Sequence, residues 1–195
     1  MDFTRRMEES FGHLIKPNAK ELREAIERLD VTMEDLHPYI TDFGPYPYGR
    51  KMIYKSDDVE MLVMNWSNHM DCAPHDHGSS MGWVSVLEGE STHILYDLDE
   101  DGVPVEKVTR LEATGTHVYA GEKMIHAMGN HSDGSLVTVH VYSPPITGMK
   151  VYDLEKCAVC IVSDDCGAWW PEHDRQILQE IKLRNASELA VGEKA

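Results

Sequence analysis

The chain is poor in basic residues, with 18 Lys and Arg against 34 Asp and Glu and a formal net charge of −16. Such an excess of negative charge repels nucleic acids and anionic membranes, so we expect neither as a partner. No apolar run approaches the roughly 20 residues that span a bilayer. The opening residues, MDFTRRMEES, lack the apolar stretch of a secretory signal, so we expect a cytoplasmic protein.

Cysteine is also scarce, and without a secretory signal the four thiols are expected to be reduced. Cys157, Cys160 and Cys166 lie close together, but a structural zinc site usually needs four ligands. His173 would be a strained fourth ligand. We expect buried neutral thiols, including Cys72, with a zinc site or a redox disulfide as the alternative.

The 195 residues suit a single domain and contain no internal repeat. Residues 1–43 have helical patterning, whereas residues 44–153 alternate short apolar runs with turn signals, which is typical of all-β barrels. Residues 154–195 form a C-terminal extension. The pattern predicts a mainly β domain with N-terminal helices and one C-terminal helix.

Two capping boxes mark the predicted helix starts, Asn18 with Glu21 and Thr32 with Asp35. In the C-terminal extension we predict a helix over about 172–190. The predicted strands lie near residues 50–55, 59–66, 82–88, 91–97, 105–111, 116–120, 124–128, 135–142 and 149–153.

The segment PHDHG carries the strongest chemical signal, because His75 and His77 are two residues apart. Residues at that spacing in a strand point to the same side, so two imidazoles can reach one ion. Imidazole is also the commonest metal-binding side chain. The pair therefore predicts a metal site.

The spacing around this pair resembles the two motifs of the cupin family, which implies a jelly-roll β-barrel and a third ligand, His126. The alternative for His126 is a core histidine. Two departures concern the turn, where Lys123 replaces a glycine and Gly121 a proline. The matching positions are Gly82 and Gly89 in the first motif and Gly115, Gly121, His126 and Asn130 in the second.

Many cupins have a metal-binding Glu where this chain has Gly82. Three neutral imidazoles would then hold the metal, which keeps more of its charge and favours an anionic ligand such as a thiolate. The remaining histidines are most simply surface or structural residues: His13, His37, His69, His93, His117, His131 and His173.

Residues 48–153 further resemble the thiol dioxygenases, and cysteine dioxygenase in particular. The resemblance rests on the sequences YGR at 48–50, HDH at 75–77 and HVYSPP at 140–145, together with His126. It implies iron(II) on the three histidines, with the substrate thiolate, and in cysteine the amine, bound to the iron. The product would be a sulfinic acid, made with both atoms of dioxygen.

The resemblance also implies the roles of the other site residues. Arg50 would hold the substrate carboxylate, because its planar fork offers paired hydrogen bonds. Tyr142 would place its hydroxyl near the thiol, with His140 orienting it and Thr138 behind. Tyr48 lies next to the expected anion site.

Each of these roles has a simpler alternative. Arg50 could be a surface strand residue, His140 and Tyr142 could be packing residues, and Tyr48 could lie outside the active site. The animal enzymes have a cysteine at the position of Gly82 that is linked to the tyrosine, so this chain resembles the bacterial type, without that link.

Three functions remain open at this point. The first is a dioxygenase for L-cysteine, favoured by Arg50 because relatives of other specificity tend to have Gln there. The second is a dioxygenase for another small thiol, such as 3-mercaptopropionate. The third is a non-catalytic metal-binding cupin, against which the Thr138, His140 and Tyr142 row argues.

Overall fold

The computed structural model describes residues 2–183. Three helices come first: α1 (Phe3–Phe11), α2 (Ala19–Leu29) and α3 (Met33–Leu36), followed by a 3-10 turn at His37–Tyr39. Among residues 2–183, no helix has both the length and the apolar character that crossing a membrane requires.

The helix starts are formed as the sequence predicts. The side chain of Asn18 accepts hydrogen bonds from the backbone N–H groups of Lys20 and Glu21, and Glu21 accepts one from the backbone of Asn18. Thr32 and Asp35 form the same reciprocal pair at the start of α3. Both capping boxes are therefore confirmed.

Twelve strands follow, and each of the nine predicted strands corresponds to one of them within a few residues. Three strands, β3, β11 and β12, were not predicted. The strands are β1 (Tyr48–Lys55), β2 (Glu60–Trp66), β3 (Met70–Asp71), β4 (Met81–Glu88), β5 (Glu90–Leu98), β6 (Pro104–Ala113), β7 (His117–Ala120), β8 (Ile125–Asn130), β9 (Val137–Ser143), β10 (Lys150–Asp153), β11 (Ala158–Val162) and β12 (Ile177–Lys182).

The strands form three antiparallel sheets, which confirms the mainly β class. The first sheet has the order β1-β2-β9-β4-β7, the second β3-β8-β5-β6 and the third β10-β11-β12. Within the described residues these sheets do not close into one continuously hydrogen-bonded barrel. The cavity described below is lined from all three.

The C-terminal helix is the wrong prediction. Residues Asp174–Gln176 form a single 3-10 turn and Ile177–Lys182 form β12, while residues 184–190 lie outside the described part of the chain. The physical reason is the open edge of β11, whose backbone groups pair with β12. A local apolar pattern contains no information about that free edge.

The two faces of the central strand β9 differ, with apolar side chains on one face and polar side chains on the other. Val137, Val139 and Val141 join the core formed with the helices, whereas the even-numbered positions face the other way. Successive strand residues point to opposite faces, so one strand serves both sides. The even positions are Thr138, His140 and Tyr142.

We predict that Asn18→Ala lowers the free energy of unfolding by about 1 kcal/mol, since two backbone N–H groups at the start of α2 lose their acceptor. Asn18→Asp is the matched control and should stay within about 0.5 kcal/mol of wild type, because it keeps the acceptor. Urea denaturation followed by circular dichroism measures both. Equal stability of the two variants would contradict the prediction.

Candidate metal centre

The three predicted ligands converge, although only one of them lies in a strand. His126 belongs to β8, whereas His75 and His77 lie in the irregular segment between β3 and β4. Isolated bridges hold His75 between His126 and Val151. Residues 75–77 form no regular strand, and hydrogen bonds from both flanking strands position His75 instead.

The three imidazoles form a compact buried cluster. One nitrogen from each ring lies within 4.8 Å of the others, and the Nε2 atoms of His77 and His126 are 3.1 Å apart. The residues are 8%, 2% and 1% exposed for His75, His77 and His126. Lone pairs gathered at this distance in a dry site suit a shared metal ion.

In two of the three rings, a hydrogen bond fixes which nitrogen faces the cluster. Nδ1 of His75 donates to the carbonyl oxygen of Ala73 at 2.9 Å, because a carbonyl can only accept. Nδ1 of His126 lies 2.6 Å from Nε2 of His93 and donates to it when the Nε2 lone pair of His126 faces the cluster. Both rings then present Nε2 as a free ligand atom.

Burial keeps the cluster neutral. It lowers the pKa of His75 to about 4 and holds the pKa values of His77 and His126 well below the ordinary value of 6.5. The neighbouring imidazoles add to the effect, because protonating one ring would place its charge beside the others. At neutral pH all three rings are uncharged and able to bind a metal.

The donor set fits a divalent transition metal. Three imidazole nitrogens with no carboxylate among them leave positions for other ligands and leave the ion most of its positive charge. Nδ1 of His77 is the one buried ring nitrogen of the trio without a hydrogen-bond partner among the described residues.

Asp76 holds the ligand-bearing segment in place. Its Oδ1 accepts hydrogen bonds from the backbone N–H of Gly78 at 3.1 Å and from that of Lys150 at 2.9 Å. One bond closes a local turn and the other ties the segment to β10. The carboxylate between the two histidines thus points away from the metal site.

A hydrogen-bonded row runs along β9 to the cluster. The indole N–H of Trp66 donates to Oγ1 of Thr138 at 2.8 Å, and Oγ1 is 2.8 Å from Nε2 of His140. Nδ1 of His140 is 3.0 Å from the hydroxyl of Tyr142, which lies 3.1 Å from Nε2 of His77. The predicted common face of the strand is present.

Burial also sets the protonation of this row. It lowers the pKa of His140 to about 3 and raises the pKa of Tyr142 well above its ordinary value. Both groups are neutral at pH 7, so the row consists of uncharged donors and acceptors.

Gly82 leaves the space that the Tyr142 ring occupies. The two residues are directly paired across β4 and β9. A Cβ atom at position 82 would lie 2.3 Å from Cδ1 of Tyr142, closer than any real contact. The absence of a side chain at this position therefore lets the tyrosine lie flat over the strand and reach the cluster.

Arg50 and Tyr48 line the same cavity from β1. Nη1 of Arg50 donates to the carbonyl oxygen of Cys166 at 2.8 Å, which is the guanidinium's one hydrogen bond to the described residues. The hydroxyl of Tyr48 accepts from the backbone N–H of Ala168 at 2.6 Å. Arg50 retains free donors for a ligand, whereas the Tyr48 hydroxyl is already engaged.

The cavity has a volume of about 120 Å³, with the histidine cluster in its wall. That is the space of about four water molecules, which suits a ligand of amino-acid size. Its remaining wall is mainly apolar and includes Leu62, Met64, Ile146, Met149 and Val162.

The four cysteines are buried thiols in this structure. Burial raises the pKa of Cys72 to about 12 and that of Cys166 to about 11, so both keep their protons at neutral pH. Cys166 also lines the cavity, and its backbone carbonyl is the group that holds Arg50.

His93 is the site residue that sequence reasoning missed, since it was grouped with the surface or structural histidines. It is 2% exposed and lies on β5, which pairs with the strand that carries His126. No motif surrounds it in the sequence, and only strand pairing brings the two rings together.

The comparison with known families agrees with this geometry. The family described as cysteine dioxygenase type I matches residues 18–155, most of the chain. The chain belongs to this family. Membership implies a thiol dioxygenase, and the three-histidine cluster fits a metal centre.

One solved structure supports the fold of this cysteine dioxygenase family member. A conserved protein with a double-stranded β-helix domain from Klebsiella pneumoniae has a TM-score of 0.50 at 16% identity, over 58% of this chain and 90% of that one. A protein from Thermus thermophilus gives 0.46 at 17% identity, over 55% and 93%. At such identities the likeness concerns the fold alone.

We predict that His93→Ala weakens metal binding about 10- to 100-fold, because His126 loses the acceptor that fixes its ring. His131→Ala, which removes an exposed histidine paired with Asp71, is the control and should leave the affinity unchanged. Competition with a coloured chelator gives both dissociation constants. Equal affinities would show that His93 does not position the ligand.

Proposed function

We propose that the protein is an iron(II)-dependent dioxygenase that converts the thiol of L-cysteine to cysteine sulfinic acid with dioxygen. One observation carries the proposal: the neutral three-histidine cluster opens into the cavity that also contains Arg50 and Tyr142, in a chain of the cysteine dioxygenase type I family. His75, His77 and His126 are the proposed ligands.

Iron(II) suits these ligands, because imidazole binds iron among other divalent metals and no thiolate or carboxylate of the described residues belongs to the three-histidine set. Bound iron would supply the redox chemistry that lets dioxygen react with a thiolate. In the overall reaction the S–H compound gains two oxygen atoms on sulfur and no atom leaves, so the product is R–SO₂H.

Arg50 is proposed to bind the substrate carboxylate. One of its five N–H donors is used by Cys166, which fixes the direction of the side chain and leaves the others for a ligand. Paired N–H groups match the two oxygens of a carboxylate. In a protein with net charge −16, a cation on the cavity wall gives an anionic ligand a specific place to bind.

Tyr142 is proposed to act as a hydrogen-bond donor toward the reacting sulfur and oxygen atoms. The indole of Trp66 can only donate, so the hydroxyl oxygen of Thr138 accepts from it. The hydroxyl hydrogen of Thr138 is then free to form a hydrogen bond to Nε2 of His140. His140 then carries its proton on Nδ1 and donates to the oxygen of Tyr142. The phenolic O–H then faces Nε2 of His77, 3.1 Å away, and becomes free for the substrate when a metal occupies that nitrogen.

The raised pKa of Tyr142 keeps this proton in place at neutral pH. The hydroxyl therefore orients and stabilises developing negative charge on substrate oxygen without itself becoming charged. Tyr48 is proposed to support the anion site beside Arg50, since a hydrogen bond from the backbone N–H of Ala168 fixes its hydroxyl.

The iron-loaded protein is expected to consume dioxygen when L-cysteine is added and to release cysteine sulfinate. Oxygen-electrode traces with product analysis by mass spectrometry measure both. Much faster turnover of 3-mercaptopropionate would shift the assignment to that thiol. Tight zinc binding with no thiol-dependent oxygen uptake would favour a non-catalytic metal-binding cupin.

Arg50→Ala is expected to raise KM for L-cysteine by about tenfold or more, because a charge-assisted hydrogen-bond pair is worth at least about 1.5 kcal/mol. Iron content should stay normal, since Arg50 contacts none of the ligands. Arg5→Ala, an exposed arginine on α1, is the matched control. Unchanged kinetics in Arg50→Ala would remove this residue from the site.

A further inference from the structure

Glu60 is a buried carboxylate in the cavity wall to which the proposed chemistry gives no role. It is the first residue of β2 and is 5% exposed. The inward positions of this strand are otherwise apolar, with Leu62, Met64 and Trp66 on the same face. A carboxylate at the end of such a row costs free energy of desolvation unless it meets a partner.

Only half of this carboxylate is satisfied by the protein. Oε1 accepts the backbone N–H of Ile146 at 2.9 Å. Oε2 has no hydrogen-bond partner among the described residues. Since Glu60 lines the cavity, the free oxygen is available to a molecule bound there.

The groups around Glu60 compensate its negative charge poorly. Burial raises the pKa of Glu60, and although Lys55 and Arg50 pull it back, neither forms an ion pair with it. A buried anion with one hydrogen bond is the kind of group that a cationic or N–H-bearing ligand would stabilise.

Glu60 is also close to the reacting end of the cavity. It pairs directly with Tyr142 across β2 and β9, and its charge is one of the causes that raise the pKa of the Tyr142 hydroxyl. Arg50, which lines the same cavity, supplies a charge of the opposite sign. The cavity wall thus offers both an anion site and a cation site.

We propose that Glu60 recognises the amino group of the substrate, so that the site selects small aminothiols over thiols of the same size without nitrogen. This inference rests on the proposed function. Oε2 accepts an N–H hydrogen bond from the neutral amine, which keeps its lone pair for the iron, while Arg50 takes the carboxylate. Glu60 and Arg50 together match a substrate that has both an amine and a carboxylate, with each residue binding one of these groups.

A purely structural role for Glu60 makes a different prediction. The bond to Ile146 holds the loop between β9 and β10, whose residues Ile146 and Met149 also line the cavity. A glutamine keeps an acceptor for that backbone N–H but loses the negative charge. Glu60→Gln therefore separates loop anchoring from amine recognition.

The experiment measures binding to the iron(II)-loaded protein without oxygen, using three thiols. L-cysteine has both an amine and a carboxylate, cysteamine has the amine alone, and 3-mercaptopropionate has the carboxylate alone. Dissociation constants come from isothermal titration calorimetry. Glu90→Gln, an exposed glutamate on β5, is the matched control.

Glu60→Gln is expected to weaken L-cysteine and cysteamine about tenfold, the loss of one charge-assisted hydrogen bond, and to change 3-mercaptopropionate by less than about twofold. Glu90→Gln should match wild type with all three. An equal change for every thiol would show that the lost charge acts on the cavity in general and not on the amine, and no change at all would leave Glu60 with a loop-anchoring role only. Either result overturns the proposal.

Oxygen uptake by the wild-type protein keeps the two proposals apart. Turnover of L-cysteine with the same thiol preference in Glu60→Gln would overturn the Glu60 inference alone. Binding that depends on Glu60, without any turnover, would overturn the dioxygenase assignment alone. If wild type binds none of the three thiols, both fail.

Discussion

Burial keeps positive charge off the three-histidine cluster, and the rest of the site depends on that exclusion of charge. A proton on any one of the three clustered imidazoles would be desolvated and would lie within a few ångströms of the other rings. Interactions between charges are many times stronger in a buried site than in water. The free energy of burial therefore keeps the nitrogen lone pairs available for a metal ion, and no nearby carboxylate is needed to hold them deprotonated.

The same exclusion organises the groups around the cluster. His93, His140 and Tyr142 are buried and neutral, and each is oriented by a hydrogen bond rather than by an ion pair. The cavity wall carries formal charge of both signs, from residues that include Arg50 and Glu60. The groups hydrogen-bonded to the cluster are therefore neutral, while charged groups elsewhere on the wall face the cavity.

Local sequence patterns correctly predicted the features that depend on interactions within a few residues. The capping boxes at Asn18 and Thr32 formed because their hydrogen bonds close within four residues. The common face of Thr138, His140 and Tyr142 followed from the period of a strand. The helix predicted near 172–190 was wrong over its described part, because the open edge of β11 offers hydrogen bonds that no local pattern reveals.

By itself, the sequence determined the mainly β class, the positions of nine strands along the chain and the three ligand candidates, because strand period and motif spacing can be read from the order of residues. Only the tertiary structure decided that His93 supports His126, that Gly82 makes room for Tyr142 and that Glu60 keeps one oxygen free. Each of these depends on contacts between strands far apart in the chain. Such contacts arise from pairing and burial, which no short stretch of sequence specifies.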